Sequence, residues 1–254
     1  MIYQERYIVT HKWAVMVTTA PRREPTLQIC VDSLRDCGWE PTILAEPESP
    51  IVDCLTIHNE YKLGVWRNWV KSVRLALETD AEVIMTVQDD SLFHPESKIF
   101  TESIMWPANN CGFISLYTPK HYSFDTKKKL KPPGVHKVIT RSLWGACALV
   151  FPRRVLEHVI KSTLIDSWLG ANPKSRNPAV LKKRKDNPSL IANSDTAIGK
   201  LMNWNKYTMW FVDPSPVQHI ARFSAIGHGG NEGRRNCYRP ADHSLPLSYQ
   251  VPLP

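Results

Sequence analysis

The sequence predicts an α/β protein with a mainly parallel central sheet flanked by helices. Short apolar runs alternate along the first half of the chain with segments in which apolar residues recur at helical spacing, and this alternation is typical of parallel sheets. The 254 residues allow one large α/β domain or two small ones. An apolar share of 43% and a charged share of 22% are ordinary globular values and exclude global disorder.

Three predicted elements lie before residue 46. The apolar run Trp13–Thr19 ends in the turn residues Ala20-Pro21 and predicts a buried strand. Apolar residues at three- and four-residue spacing predict a helix after Pro25-Thr26, with Gly38 as its stop. The next strand is predicted over Pro41–Ala45.

A long helix and a central strand come next. Helical spacing of apolar residues predicts a helix over 65–78, and the apolar run 82–87 predicts a strand that ends in Gln88-Asp89-Asp90. Open α/β sheets bind ligands at the carboxyl ends of their strands. The ends of the first and central strands, with Thr18-Thr19 and Asp89-Asp90, therefore form the predicted binding edge.

The second half of the chain has fewer regular patterns. Strands are predicted over 112–117 and 146–151, and helices over 153–161 and 195–203, the latter capped by Asn193 or Ser194. The expected irregular segments are a basic loop at 127–134, a long mobile loop at 172–188 and a proline-containing tail, extended or disordered, at 240–254.

The charge of the chain is unevenly distributed. Residues 1–118 contain 10 Lys and Arg against 16 Asp and Glu, a net charge of −6, and residues 119–254 contain 22 against 8, a net charge of +14. This division indicates that the second half meets an anionic partner. The alternative is a solvated basic surface that promotes solubility.

Cysteine usage and hydropathy bear on the compartment. The six cysteines show no CxxC spacing, so they predict neither a zinc site nor a disulfide framework. The longest apolar stretch, 144–151, is far shorter than the roughly 20 residues that cross a membrane. The first residues lack the pattern of a secretory signal, and the expected location is the cytoplasm of a bacterial or phage-infected cell.

The acidic pair Asp89-Asp90 is the strongest chemical signal in the chain. Two adjacent carboxylates at the end of an apolar strand are costly to keep together unless a cation neutralises them. Oxygen ligands suit Mg²⁺ or Mn²⁺, and these ions commonly accompany a bound diphosphate. The alternative is a turn in which one aspartate caps the next segment.

Six segments, in order from residue 13 to about 230, resemble elements of the GT-A glycosyltransferases. Each is weak alone, and the ordered set carries the resemblance. The segments are Gln88-Asp89-Asp90 before residues 91–95, similar to a DxD or Glu-Asp-Asp element; Thr18 to Arg22; Gly64 to Trp69 with Arg67-Asn68; Trp144 to Pro152; Asn193-Ser194-Asp195; and 214–220 with 224–227.

The resemblance implies a GT-A-like single domain that binds a nucleotide sugar, here a UDP-sugar. Residues 1–118 would form the donor-binding half, 119–239 the acceptor-binding and catalytic half, and 240–254 the tail. Asp90 and His219 would bind Mn²⁺ or Mg²⁺, and Asp195 would act as general base in an inverting transfer. The implied donor-binding residues are Thr18, Thr19, Arg22, Glu46, Arg67, Asn68, Gln88 and Asp89. One departure matters, because Gln88 replaces the first acid of the triplet, so that one contact to ribose or metal is expected to be weaker or to be made by the side-chain amide.

The basic second half suits a polyanionic acceptor. Lysines in loops contact phosphates without reading a sequence, and a modified base in duplex DNA must leave the stack to reach a catalytic group. The leading acceptor hypothesis is therefore 5-hydroxymethylpyrimidine in DNA, as for phage DNA glycosyltransferases. The implied acceptor-binding residues are Trp144, Gly145, Lys128, Lys129, Lys183 and Arg184, with Trp168 and Tyr122 as further aromatic candidates for contacting the base.

Other functions remain open from the sequence alone. The acceptor can instead be an anionic cell-surface glycan or lipopolysaccharide, with the basic face in peripheral contact with anionic lipids. A metal-dependent nuclease would use the same acids and basic loops, and a non-catalytic DNA-binding module would need no acid pair. Nucleotidyltransferases and methyltransferases are disfavoured, because both normally carry a glycine-rich first turn that is missing between Thr18 and Arg23.

Overall fold

The computed structural model describes residues 11–138, 143–169, 192–222 and 237–252 of the chain. The strands described are β1 (Trp13–Thr19), β2 (Pro41–Ala45), β3 (Thr56–His58), β4 (Val83–Gln88), β5 (Ser91–Phe93), β6 (Cys111–Ser115), β7 (Gly134–Lys137), β8 (Ala148–Pro152), β9 (Thr208–Asp213) and β10 (Val217–His219). The helices described are α1 (Leu27–Asp36), α2 (Val65–Leu77), α3 (Ser97–Ile104), α4 (Arg153–Val159), α5 (Leu164–Ser167), α6 (Ser194–Trp204) and α7 (Leu247–Gln250), with a 3-10 turn at Lys120–Ser123.

Eight strands form the central sheet in the order β3-β2-β1-β4-β8-β6-β9-β7, and β5 and β10 form a separate antiparallel ribbon. The pairs β3-β2, β2-β1, β1-β4 and β6-β9 are parallel, whereas β8 is antiparallel to β4 and β6, and β7 is antiparallel to β9. The predicted α/β class with a mainly parallel sheet and flanking helices is confirmed.

Apolar side chains cover both faces of the sheet. On one face, α1 contributes Leu27, Val31 and Leu34 to a core that also contains residues of β1, β2 and β4. On the other face, α2 contributes Trp66 and Trp69, whose rings stack with centroids 5.1 Å apart. Full burial of a large apolar side chain stabilises a fold by about 1.5–3 kcal/mol, so the two helices fix the sheet between them.

The topology brings many segment ends to one edge of the sheet. The carboxyl ends of β1 and β4 are neighbours there, since Thr18 pairs with Gln88. The antiparallel β8 begins at this same edge, because Ala148 pairs with Val87. Strands β2 and β3 lie on one side of β1, and the next strand in the chain, β4, lies on its other side. Such a switch point is where open α/β sheets leave a crevice for ligands.

The predicted elements agree with the structure apart from their bounds and several omissions. The helices predicted at 65–78, 153–161 and 195–203 are α2, α4 and α6, each shifted by one or two residues at an end. Helices α3, α5 and α7 and strands β3, β5, β7, β9 and β10 were not predicted, and most of them span only three or four residues.

The expected extended or disordered tail is wrong for residues 240–252. Leu247 and Val251 are fully buried in the core that contains α1. The Leu247 amide donates to a carboxylate oxygen of Glu96 over 2.8 Å, and α7 forms despite the neighbouring prolines. Apolar residues placed between the prolines therefore dock this segment against the sheet layer.

The basic loop also differs from the flexible segment that was expected. Asp125 accepts hydrogen bonds from the backbone amides of Lys127 and Lys129, each over 2.8 Å. The Lys131 ammonium donates to the Tyr122 carbonyl over 2.6 Å. These bonds close residues 125–131 into a defined turn.

Among the described residues, none of the helices has the length and apolar character needed to cross a membrane.

Candidate active site at the carboxyl edge of the sheet

The acidic pair directly follows β4 in the sequence and is almost completely buried. Asp89 is 2% exposed and Asp90 is 3% exposed. Thr19, the last residue of β1, donates its hydroxyl to Asp89 Oδ2 over 2.6 Å. Arg22, three residues later, donates from Nε to Asp89 Oδ1 over 2.9 Å. Parallel pairing of β1 with β4 thus places the predicted residues Thr19, Arg22 and Asp89 in one hydrogen-bonded group.

Asp90 is joined to a segment from late in the chain. Arg22 approaches its Oδ2 to 2.9 Å, and His219 Nε2 lies 3.0 Å from the same oxygen. His219 reaches this position because β10 pairs with β5, with His219 opposite Ser91. The Ile220 amide also donates to the Asp90 carbonyl over 2.8 Å. The two residues predicted as metal ligands, Asp90 and His219, are therefore in contact.

Burial and charge act in opposite directions on this cluster. Desolvation raises the pKa of Asp89 above its ordinary value, against the lowering effect of the Arg22 guanidinium. Desolvation disfavours the charge of Arg22, but attraction from Asp90 and Asp89 outweighs it and raises the pKa of the guanidinium. One arginine is thus shared between two buried carboxylates. A second cation would compensate the negative charge that the arginine leaves unpaired.

Three potential ligand atoms lie close together beside the arginine. A carboxylate oxygen of Asp90, the sulfur of Cys147 and a ring nitrogen of His219 all lie within 4.8 Å of one another. Within the described part of the chain, Nδ1 of His219 is buried and makes no hydrogen bond. Cys147 was missed from the sequence because it belongs to no spacing motif. Its position directly before a strand antiparallel to β4 was the one available signal.

A small cleft lies beside Gln88, the residue that precedes the acidic pair. The ends of β1 and β4 and the N-terminal ends of α2 and α6 enclose it. Its lining residues are Thr18, Val65, Trp69, Thr86, Val87, Gln88, Ala146 and Ser194. The predicted donor-binding residues Thr18 and Gln88 line this cleft. Helix N-termini carry partial positive charge, and a carboxylate lies at each of these two: Glu46 at the start of α2 and Asp195 in the first turn of α6.

Asp195 lies in the first turn of α6, next to the cleft-lining Ser194. Its Oδ2 accepts a hydrogen bond from the Gly145 amide over 2.7 Å. Desolvation raises the pKa of Asp195, and hydrogen bonds from the backbone of Gly145 and Ala146 oppose that shift. A carboxylate with a raised pKa that is fixed by backbone amides fits a general base, which works best with a pKa near the operating pH.

The backbone of Gly145 is specialised for this contact. Gly145 has φ +74°, a conformation that other residues rarely adopt. A Cβ at this position would lie 2.5 Å from the ring of Tyr117. Trp144, just before it, is 57% exposed, and its ring meets that of His121 edge-on at 5.5 Å. The segment thus presents one aromatic side chain to solvent while its backbone positions Asp195.

The remaining acceptor candidates are placed differently. Trp168 is partly buried, donates to the Asn193 carbonyl over 3.0 Å and has the Lys200 ammonium 4.6 Å from its ring centroid. Tyr122 is buried against Phe211, so its predicted contact with an acceptor base is wrong. Lys128 and Lys129 are exposed on the turn described above. Lys183, Arg184 and the segments 172–188 and 224–227 lie outside the described residues.

Three predicted donor-binding residues occupy the side of α2 nearest β2. Both carboxylate oxygens of the buried Glu46 accept bonds from the amides of Leu63 and Gly64, at 2.7–3.1 Å. Asn68 is buried, with its amide accepting from Asn59 over 2.9 Å. Arg67 is exposed in the first turn of α2. Glu46 and Asn68 thus anchor the start of α2, whereas Arg67 remains available to solvent.

No protein-family model and no curated protein matches the chain. Among solved structures it is similar to the mannosyltransferase PcManGT from Pyrobaculum calidifontis in complex with GDP-Man and Mn²⁺, with a TM-score of 0.40 and 12% identity. That similarity covers 59% of this chain and 46% of the mannosyltransferase, so the chain spans about half of its length. The chain is also similar to A197 from STIV, with a TM-score of 0.44, 11% identity and coverage of 81% and 83%. Neither similarity assigns an activity, so a proposal for the function has to be based on the geometry of the site.

Proposed function

We propose that the protein is a metal-dependent glycosyltransferase that moves a sugar from a UDP-sugar to a hydroxyl acceptor. The observation that carries the proposal is the buried cluster of Asp89, Asp90, Arg22 and His219 at the switch point of the sheet. Asp195, which the Gly145 amide holds next to the cleft-lining residue Ser194, would supply the general base that such a transfer requires.

The residues at the acidic pair fit a divalent cation. A buried carboxylate and a buried imidazole are in contact there, and both are ordinary ligands for Mn²⁺. Asp90 and His219 would bind the ion, and Asp89 would keep Arg22 beside the donor phosphates. When bound, such an ion supplies charge stabilisation to a leaving diphosphate. Thr18 and Gln88 line the adjoining cleft and would contact the nucleoside.

Asp195 supplies the proton transfer in this proposal. Its carboxylate takes the proton of the acceptor hydroxyl as the hydroxyl oxygen forms a bond to the anomeric carbon. The bond from that carbon to the diphosphate oxygen breaks, and UDP leaves with the electron pair. Attack opposite to the leaving group inverts the anomeric centre. The Gly145 amide orients the carboxylate, and a positioned general base contributes about 10²–10⁴-fold to such a step.

The proposed acceptor is 5-hydroxymethylpyrimidine in DNA. Trp144 offers an exposed aromatic ring on the residue before Gly145, and aromatic rings stack on unpaired bases. Lys128 and Lys129 lie on the turn that follows the buried Tyr122, whose hydroxyl accepts from the Trp144 amide over 3.1 Å. Exposed lysines on such a turn suit the phosphates of a bound strand. The net charge of +14 over residues 119–254 agrees with a polyanionic acceptor.

A donor and acceptor screen tests the proposal. The purified chain is incubated with Mn²⁺ and individual nucleotide sugars, and release of nucleoside diphosphate is measured with and without DNA that contains hydroxymethylcytosine or hydroxymethyluracil. We expect DNA-dependent release from a UDP-sugar, with loss of activity in Asp195→Asn. DNA cleavage without any donor would instead identify a nuclease. Transfer only to anionic glycans would retain the transferase and overturn the DNA acceptor.

A charge-reversal pair tests the acceptor surface separately. Lys128→Glu with Lys129→Glu removes two positive charges from the turn, and the affinity for DNA should fall together with the salt dependence of binding. Lys206→Glu is the matched control, since this exposed lysine follows the far end of α6, away from Asp195. The double change lowers the net charge by 4 and the control lowers it by 2, so a loss of binding free energy no more than twice that of the control would show that the basic turn contributes only through overall charge.

A further inference from the structure

The candidate cation site contains a sulfur atom that the proposed function does not require. Cys147 is buried, and its sulfur lies within 4.8 Å of ligand atoms of Asp90 and His219. Its backbone is fixed in place, because its carbonyl accepts from the Gln88 amide over 2.8 Å and from the Ser91 hydroxyl over 3.1 Å. The residues just before and just after the acidic pair thus fix the backbone of Cys147, and its thiol lies beside the two predicted ligands.

A ligand set of one carboxylate, one imidazole and one thiolate selects particular metals. Thiolates favour Zn²⁺ and similar borderline-soft ions, whereas Mg²⁺ prefers an all-oxygen octahedral shell. Three protein ligands and one open position are also the arrangement of catalytic zinc sites. We propose that Asp90, Cys147 and His219 form a three-ligand site for Zn²⁺ or Co²⁺, leaving the fourth position open. This inference deepens the proposed function, on which it rests, by replacing Mn²⁺ or Mg²⁺ with a softer ion.

The geometry requires only a small contraction. Metal–ligand bonds of about 2.0–2.3 Å at tetrahedral angles separate ligand atoms by about 3.3–3.8 Å, so atoms now within 4.8 Å draw together by roughly 1 Å. His219 Nε2 and Asp90 Oδ2 are already 3.0 Å apart. The thiol loses its proton to solvent as the metal–sulfur bond forms, so binding releases a proton.

The contacts of Arg22 allow Asp89 to stay paired with the guanidinium while Asp90 binds the metal ion. Its Nε and a terminal nitrogen both contact Asp89, whereas a single contact of 2.9 Å reaches Asp90. An incoming metal ion can therefore take Asp90 while the guanidinium keeps Asp89. The positive charges then lie side by side at the edge of the cleft, where a diphosphate neutralises them and supplies an oxygen to the open coordination position.

Cobalt titration of the full-length chain tests the inference, because Co²⁺ bound to a thiolate absorbs in the near ultraviolet through sulfur-to-metal charge transfer. We expect this band in the wild-type protein at one Co²⁺ per chain, its removal by an equimolar amount of Zn²⁺, and its persistence in excess Mg²⁺. Cys147→Ser should lose the band. Cys30→Ser is the matched control, since Cys30 is equally buried and its sulfur contacts the Gln88 carbonyl without belonging to the ligand group.

The spectra separate this inference from the proposed function. A wild-type protein that transfers sugar with Mn²⁺ and shows no thiolate band with Co²⁺ retains the function and overturns the zinc-type site. A protein with the band that hydrolyses no donor keeps the site and loses the function. Should Cys147→Ser fail to fold, X-ray absorption at the metal edge of the wild-type complex decides: a sulfur ligand lies at about 2.3 Å, against about 2.0–2.2 Å for nitrogen and oxygen ligands, and a ligand shell without sulfur overturns the site.

Discussion

Arg22 donates two hydrogen bonds to Asp89, one of them from Nε over 2.9 Å, inside a region that excludes nearly all solvent. The same guanidinium reaches Asp90. Two adjacent buried carboxylates cannot both remain ionised without a compensating charge. In the described structure that charge is Arg22, so the acidic pair is stabilised before any metal arrives.

Arg22→Ala should therefore strongly destabilise the protein. Removing one partner of a buried ion pair leaves an uncompensated charge and costs about 3–5 kcal/mol, which denaturant unfolding measures as a lower midpoint. A divalent cation should restore part of this loss, because it binds the same carboxylates. Arg35→Ala is the control: its pair with Glu40 is exposed, so its change should be much smaller. Equal losses in both variants would contradict a structural role for the buried cluster.

Asp195→Asn should abolish transfer without destabilising the fold. Desolvation raises the pKa of Asp195, so the folded state binds a proton there more tightly than the unfolded chain does. The stability from this group is fully present at low pH and is lost as the pH rises through the folded-state pKa. At neutral pH the neutral asparagine should match or exceed aspartate in the free energy of unfolding, while kcat falls by about 10²–10⁴-fold. A clear loss of stability would instead favour a purely structural role at the start of α6.

The pH dependence of transfer should report the same carboxylate. A general base works when deprotonated, so kcat/KM should fall as the pH drops through a value above the ordinary 3.8 of an aspartate. The affinity for the donor must be measured across the same range, because protonation of Asp89, whose pKa is also raised, would weaken the site. An acid limb at or below the ordinary aspartate range would argue against Asp195 as the base.

Gly145→Ala should impair both folding and catalysis. A methyl group there meets the Tyr117 ring at 2.5 Å in a backbone conformation with φ +74°, and relief of that clash moves the amide that orients Asp195. Gly38→Ala isolates the clash, since Gly38 has φ +82° and open space around the added Cβ. Both variants carry the backbone cost of about 1–2 kcal/mol, and overpacking adds about 1–3 kcal/mol at Gly145 alone. Equal unfolding midpoints in Gly145→Ala and Gly38→Ala would show that the Tyr117 ring moves aside without a cost in stability.

The local part of the site could be predicted from the sequence, and the non-local part could not. Asp89 and Asp90 follow an apolar strand directly, so their place at the sheet edge depends on neighbouring residues only. Contact between His219 and Asp90 depends on the ribbon of β5 and β10, two three-residue strands whose pairing no periodicity indicates. The resemblance to glycosyltransferases pointed to His219 where pattern analysis had no basis to do so.

Residue type alone does not show which side chains the fold leaves accessible to a ligand. Tyr122 and Trp144 are both aromatic and lie in the same region, yet one is buried and the other exposed. Glu46 follows β2 at the binding edge, but backbone amides occupy both of its oxygens. The buried apolar residues of 240–252 were obscured by prolines. In each case the deciding fact is which neighbours the fold supplies, and that information is distributed over the whole chain.

The ribbon of β5 and β10 has a consequence for biosynthesis. It joins Asp90 to His219, 129 residues later in the chain, so this contact cannot form on a ribosome-bound chain before β10 has been translated. Domains acquire such distant pairings late. A nascent chain that has not yet reached β10 therefore lacks the contact between Asp90 and His219.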